Sequence, residues 1–95
     1  MMIQAGRKIR LKKWQYRIRA EWGVHAREAV KLVREVKKYK SRIFVKGNGK
    51  CAEASDVMEL MELDLKCGQT AELILEGEDE EAALAGMKEY WEGNL

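Results

Sequence analysis

The stretch "WQYRIRAEWGVHAREAVKLVREV", residues 14–36, changes its hydrophobic period part-way along, and that change decides the fold. Over residues 14–20 apolar and polar side chains alternate. Trp14, Tyr16, Ile18 and Ala20 share one face, and Gln15, Arg17 and Arg19 share the other. Period two is the mark of a half-buried strand. Residues 21–24 form a turn that contains Gly23. From Ala26 onward Ala29, Val33 and Val36, joined by Val30 and Tyr39, recur at helical spacing and predict an amphipathic helix to about Lys40. His25, the single histidine of the chain, falls at the mouth of that helix.

Downstream, residues 42–46 (RIFVK) read as a strand, "GNGK" at residues 47–50 as a tight hairpin, and residues 50–54 as the returning strand. Ser55 and Asp56 are both good helix caps, and VMELMEL after them makes a short amphipathic helix. Residues 66–69, with Gly68, turn the chain into the strand TAELILE, residues 70–76. GEDEE then supplies acidic residues where a helix start favours them, and Ala83, Leu84, Met87, Tyr90 and Trp91 mark the buried stripe of a last helix. The order is β-α-β-β-α-β-α. Strands with helices gathered on one side predict an α+β open-faced β-sandwich, with a four-stranded antiparallel sheet and three helices on one face.

The chain has 95 residues, too few for a separate cofactor domain. It carries no apolar run long enough to span a bilayer. Its basic start, MMIQAGRKIRLKKW, lacks the apolar segment of a secretory signal, so a cytoplasmic location is expected. No proline, repeat or low-complexity linker marks a boundary, and the expected organisation is a basic N-terminal extension over residues 1–12 and one domain over residues 13–95. Residues 1–50 hold sixteen Lys and Arg against Glu21, Glu28 and Glu35, whereas residues 51–95 hold Lys66 and Lys88 against thirteen Asp and Glu. Such a split suits a nucleic-acid arm or opposite faces of one compact domain. The basic segments lack interleaved aromatics, which weighs against nucleic acid. Cys51 and Cys67 are too few for a paired-cysteine zinc site and are expected as reduced, partly buried thiols. No metal or cofactor is expected.

A histidine at a helix mouth faces backbone N–H groups with no partner inside the helix. Together with the positive end of the helix dipole they form an anion site. A phosphoryl group on the imidazole would be held by the amides of Ala26, Arg27 and Glu28, with charge-assisted contacts from the Arg27 guanidinium. That chemistry is nucleophilic catalysis through a phosphohistidine. No serine or cysteine beside His25 supports a hydrolase dyad, and one histidine cannot hold a metal alone. The plain alternative is a histidine that decorates a turn.

The segment GVHAREA resembles the active-site segment G-[IL]-H-A-R-P-A of HPr, the histidine-containing phosphocarrier of the bacterial sugar phosphotransferase system. The likeness runs from about Trp14 to Trp91 and takes in "NGK", "VMELMELDLKCG" and "GEDEEAAL". It implies the same open sandwich, phosphorylation of His25 at Nδ1, and Arg27 as the phosphate-facing partner. It also implies a phosphocarrier rather than a stand-alone enzyme. Enzyme I would be the donor and EIIA-type proteins the acceptors, with docking over Val57, Met58 and Met61 of the short helix. Arg27, Lys31, Arg34 and Lys38 fall on one helical face and could steer an acidic partner.

This chain departs from the family pattern in four places. Glu28 replaces the proline, and its carboxylate is expected to repel an incoming phosphoryl group. Asp56 occupies the position of the serine that an ATP-dependent kinase modifies in Gram-positive HPr, with Ser55 one place off. It reads as a helix cap or as a permanent regulatory charge. Glu59, Glu62 and Asp64 make the second helix acidic, and the N-terminus, with Arg7, Lys8, Arg10, Lys12 and Lys13, is about ten residues longer. The alternative reading is therefore a regulatory module that binds transcriptional regulators, with phosphotransfer weakened or lost.

Overall fold

The computed structural model describes residues 11–95. Its elements are β1 (Lys12–Arg17), α1 (Ala26–Val36), β2 (Arg42–Gly47), β3 (Lys50–Glu53), α2 (Val57–Glu62), β4 (Thr70–Glu76) and α3 (Glu80–Asn94). All strand pairs are antiparallel, in the order β1-β4-β2-β3. The expected β-α-β-β-α-β-α order and sheet are those observed. Most of the basic extension, including Arg7, Lys8 and Arg10, lies outside the described residues.

Alternation in β4 shows how the sheet makes a core. Ala71, Leu73 and Leu75 are fully buried, while Glu72, Ile74 and Glu76 between them remain partly open. Register places Leu73 opposite Trp14 and Val45, and Leu75 opposite Lys12 and Ile43, so the apolar side chains of neighbouring strands share one face. On that face lie Ala29, Leu32, Val33 and Val36 of α1, Leu60 of α2, and Ala83, Met87 and Trp91 of α3. Tyr16 meets Trp91 edge to face, with ring centroids 5.7 Å apart. The other face of the sheet carries Gln15, Lys46, Glu72 and the stacked pair Arg42–Phe44, with the guanidinium 5.0 Å from the ring centre.

The hairpin is the two-residue kind that Asn-Gly favours: Asn48 and Gly49 both have positive φ, 51° and 77°. The Asn48 amide also reaches the Leu63 carbonyl at 2.7 Å and so ties the hairpin tip to the end of α2.

Several expectations shift. The first strand was expected over residues 14–20 and runs instead over Lys12–Arg17. β4 begins only at Thr70, so Ile18 pairs with Gln69 and Gly68 of the preceding turn, and the Arg19 and Ala20 amides both donate to the Leu95 carbonyl at 2.7 Å. α1 stops at Val36, short of Lys40. The Lys40 and Ser41 amides and the Ser41 hydroxyl are drawn to the Asp79 carboxylate, at 2.8, 2.8 and 2.5 Å. Those donors hold the Asp79 carboxyl below its usual range, the Ser41 hydroxyl most. Leu32, absent from the expected stripe, is buried, whereas Val30 is 40% exposed. Cys51 and Cys67 are free and exposed rather than partly buried, because Cys51 stands on the edge strand β3 and Cys67 in a turn. No helix among the described residues is long and apolar enough to cross a membrane.

Candidate functional site

The loop from Ile18 to His25 is fastened from two sides before it enters α1. The Gly68 N–H donates to the Ile18 carbonyl at 2.8 Å, and the Val24 N–H donates to the Leu65 carbonyl at 3.0 Å. On the other side the Arg19 guanidinium donates to the Glu92 carbonyl at 2.7 Å. Between these anchors the Gly23 N–H closes a turn onto the Ala20 carbonyl at 3.0 Å. Gly23 has φ +72°, and a Cβ there would run into the Leu65 carbonyl oxygen. Both the left-handed backbone and the close approach demand glycine. Trp22 consequently rides on the outside of the turn, 74% exposed.

His25 is the N-cap residue of α1. Its backbone is extended, φ −89° and ψ −178°, and its carbonyl accepts the Ala29 N–H at 2.8 Å. Its imidazole is exposed and makes no capping hydrogen bond. Among the described residues, nothing accepts from the amides of Ala26, Arg27 and Glu28. The arrangement is an exposed imidazole beside three unpaired donors at the positive end of a helix, with the exposed Arg27 two residues along. It can receive an anion and hold its oxygens.

Glu28 is half-buried in the first turn, where a carboxylate suits the dipole. Its charge reaches α3: burial first, and then the carboxylates of Glu35 and Glu28, raise the Tyr90 hydroxyl above its ordinary value. Arg34 is exposed on the far turn of the same helix.

In α2, Asp56 caps the helix, its carboxylate accepting the Glu59 N–H at 3.1 Å. Glu59 in turn accepts the Glu53 N–H at 2.8 Å. Ser55 is exposed and does not cap. Leu60 and Leu63 supply the burial that a short helix needs, Val57 is half-buried, and Met58 and Met61 stay 64% and 39% exposed. α1 and α2 pack against each other, so Met58 and Met61 belong to the same side of the molecule as α1.

The exposure of Trp22 beside the His25 turn is a feature that the sequence reading leaves out. Its signal was nevertheless present: an indole inside a glycine turn cannot join either the strand face or the helix stripe. Val30 shares helical spacing with the buried stripe, and periodicity alone does not tell it from Leu32.

The family described as the PTS HPr component phosphorylation site matches residues 12–92. The chain belongs to the HPr family. It is 36% identical over 73 residues to the HPr-like protein Crh of Halalkalibacterium halodurans, covering 77% of this chain and 87% of that one. It is 39% identical over 70 residues to phosphocarrier protein HPr of Buchnera aphidicola, covering 74% and 82%. The crystal structure of HPr-C-His from Thermoanaerobacter tengcongensis superposes with a TM-score of 0.80 at 32% identity, covering 85% of this chain and 91% of that one. HPr proteins and the HPr-like Crh thus both stand among its relatives.

Proposed function

We propose that this protein is a phosphocarrier of the sugar phosphotransferase system, working in the cytoplasm and charged on His25. The observation that carries the reading is the uncommitted, exposed imidazole at the N-cap of α1, beside the unpaired amides of Ala26, Arg27 and Glu28. The lone pair of the imidazole Nδ1 attacks the phosphorus of a phosphorylated enzyme I. A nitrogen–phosphorus bond forms on His25 as the bond to the donor breaks, and the donor nitrogen keeps the electron pair. The three amides and the Arg27 guanidinium take up the charge of the phosphoryl oxygens. The reverse geometry hands the group to an EIIA-type acceptor. Met58, Met61 and Val57 form the apolar part of the docking face, and Arg34 adds a positive rim.

A second reading, a regulatory binding module with weakened transfer, draws on Asp56 and on the likeness to Crh. The capping bond to Glu59 gives Asp56 a structural duty, and a binding module has no need of the His25–Arg27 pair, so the carrier is favoured. The test is incubation with phosphoenolpyruvate and purified enzyme I of Bacillus subtilis, followed by intact mass. One acid-labile phosphoryl group, absent from His25→Ala, is expected. Absence of any label, while HPr of that organism is fully charged, shifts the assignment to the regulatory module.

A further inference from the structure

The His25 side of the molecule carries two oppositely charged stripes that do not satisfy each other. On α1, Arg27, Val30, Lys31 and Arg34 are all exposed and stand at helical spacing on one face. On α2, Met58, Met61 and Glu62 form the corresponding exposed stripe, headed by Asp56 and Glu59. The two helices are neighbours. Even so, among the described residues none of Arg27, Lys31, Arg34, Asp56, Glu59 or Glu62 enters a salt bridge, although five other pairs in the molecule do. Each stripe also has exposed apolar side chains at its centre: Val30 on the basic one, Met58 and Met61 on the acidic one.

A surface of this design is its own complement. A two-fold axis passing between α1 and α2 lays the basic stripe of one copy on the acidic stripe of the other, and every pairing occurs twice. The same rotation brings the Val30 side chains against the methionines and removes both from water.

We propose that a second copy of this chain docks on the α1–α2 face, forming a weak, salt-sensitive, two-fold dimer. Two short helices per copy place the contact at the small end of specific interfaces, below about 1,200 Å². His25, at the N-terminal end of the basic stripe, lies at this contact, so the dimer shields the imidazole and the monomer is the form open to a phosphoryl donor. That last consequence rests on the carrier reading above; the dimer itself rests on charge and exposure alone.

Sedimentation velocity over roughly 10 µM to 1 mM protein tests the interface without any phosphorylation. In about 0.01 M salt, where the Debye length is roughly 30 Å, a concentration-dependent dimer is expected, and in about 1 M salt, where it is roughly 3 Å, a monomer. The double variant Lys31→Glu/Arg34→Glu and the single variant Glu62→Lys should each remain monomeric in low salt. An equimolar mixture of the two should restore the dimer, because each reversed stripe then meets an opposite charge. Circular dichroism of each variant alone guards against misfolding. A monomer at every concentration in low salt overturns the proposal, and so does a dimer indifferent to salt and to both variants. If the dimer forms but His25 takes no phosphate, the interface stands and the carrier reading falls.

Discussion

α2 and α3 lie on the same side of the same sheet, and both carry methionine, leucine and glutamate, yet they treat their apolar side chains in opposite ways. α3 buries Met87 and Trp91 completely against Tyr16 and the strands. α2 commits Leu60 to the core and leaves Met58 and Met61 in water. α3 is 15 residues long and buries one residue in each of its four turns: Glu80, Ala83, Met87 and Trp91. α2 has 6 residues and is held by its ends, through the Asp56 cap and the Asn48 bond to Leu63. Because its ends are anchored, its middle is released from packing, and flexible methionines on such a surface adapt to a partner. One helix is structure; the other is a face, next to the exposed Trp22 turn and His25.

The largest effect that can break this contrast is in the core. Trp91→Ala should lower unfolding free energy by about 3–5 kcal/mol, whereas Met58→Ala should change it by no more than about 0.5 kcal/mol. Denaturant melts of the two variants settle it; equal losses would mean that α2 packs like α3. Next comes the turn that aims His25. Gly23→Ala adds a Cβ against the Leu65 carbonyl at positive φ and should cost about 1–3 kcal/mol, with slower labelling of His25. At the head of α2, Asp56→Ala should cost about 1 kcal/mol, and Asp56→Ser should recover most of it. Recovery by serine separates a capping role from a charge role, because serine brings back the hydrogen bond without the charge.

On the carrier reading, a Glu28 carboxylate beside the incoming phosphoryl group should oppose transfer by about 1 kcal/mol, so Glu28→Pro should be labelled about fivefold faster. Equal rates would place the carboxylate's influence at Tyr90 alone. The smallest effect expected is in pH. The carboxyl of Asp79 is lowered in the fold, so its contribution is present above the pKa of the unfolded chain and lost as pH falls through the folded value. Between roughly pH 5 and pH 2 the stability advantage of the parent over Asp79→Asn should shrink.

Strand and helix order, the hairpin at Asn48–Gly49 and the cap at Asp56 were legible because each depends on local pattern: period, a turn dipeptide, a side chain able to reach its own helix. The placement of His25 at the helix mouth was legible for the same reason. What escaped depends on groups far apart in the chain. Past the end of β1 the chain is held by Leu95, whose carbonyl captures the Arg19 and Ala20 amides. Past the end of α1 the chain is held by Asp79, some forty residues on, which takes the Lys40 and Ser41 amides. Exposure of Val30 in place of Leu32 follows from the direction in which α1 lies on the sheet, which periodicity leaves open when apolar residues occupy both positions. Glu80, a carboxylate in an acidic run, is buried because it reaches back to the Gly77 N–H at 3.0 Å.

The central claim is that the exposed face formed by α2 and the His25 turn exists for handing on phosphate. Its most direct test is the time course of His25 phosphorylation by phosphoenolpyruvate and enzyme I, comparing the parent protein with Met58→Glu. We predict one acid-labile group on the parent and at least tenfold slower labelling of Met58→Glu, about 1.4 kcal/mol of lost docking, with an unchanged unfolding midpoint. Equal rates for the two proteins, or no label on the parent, would contradict the account.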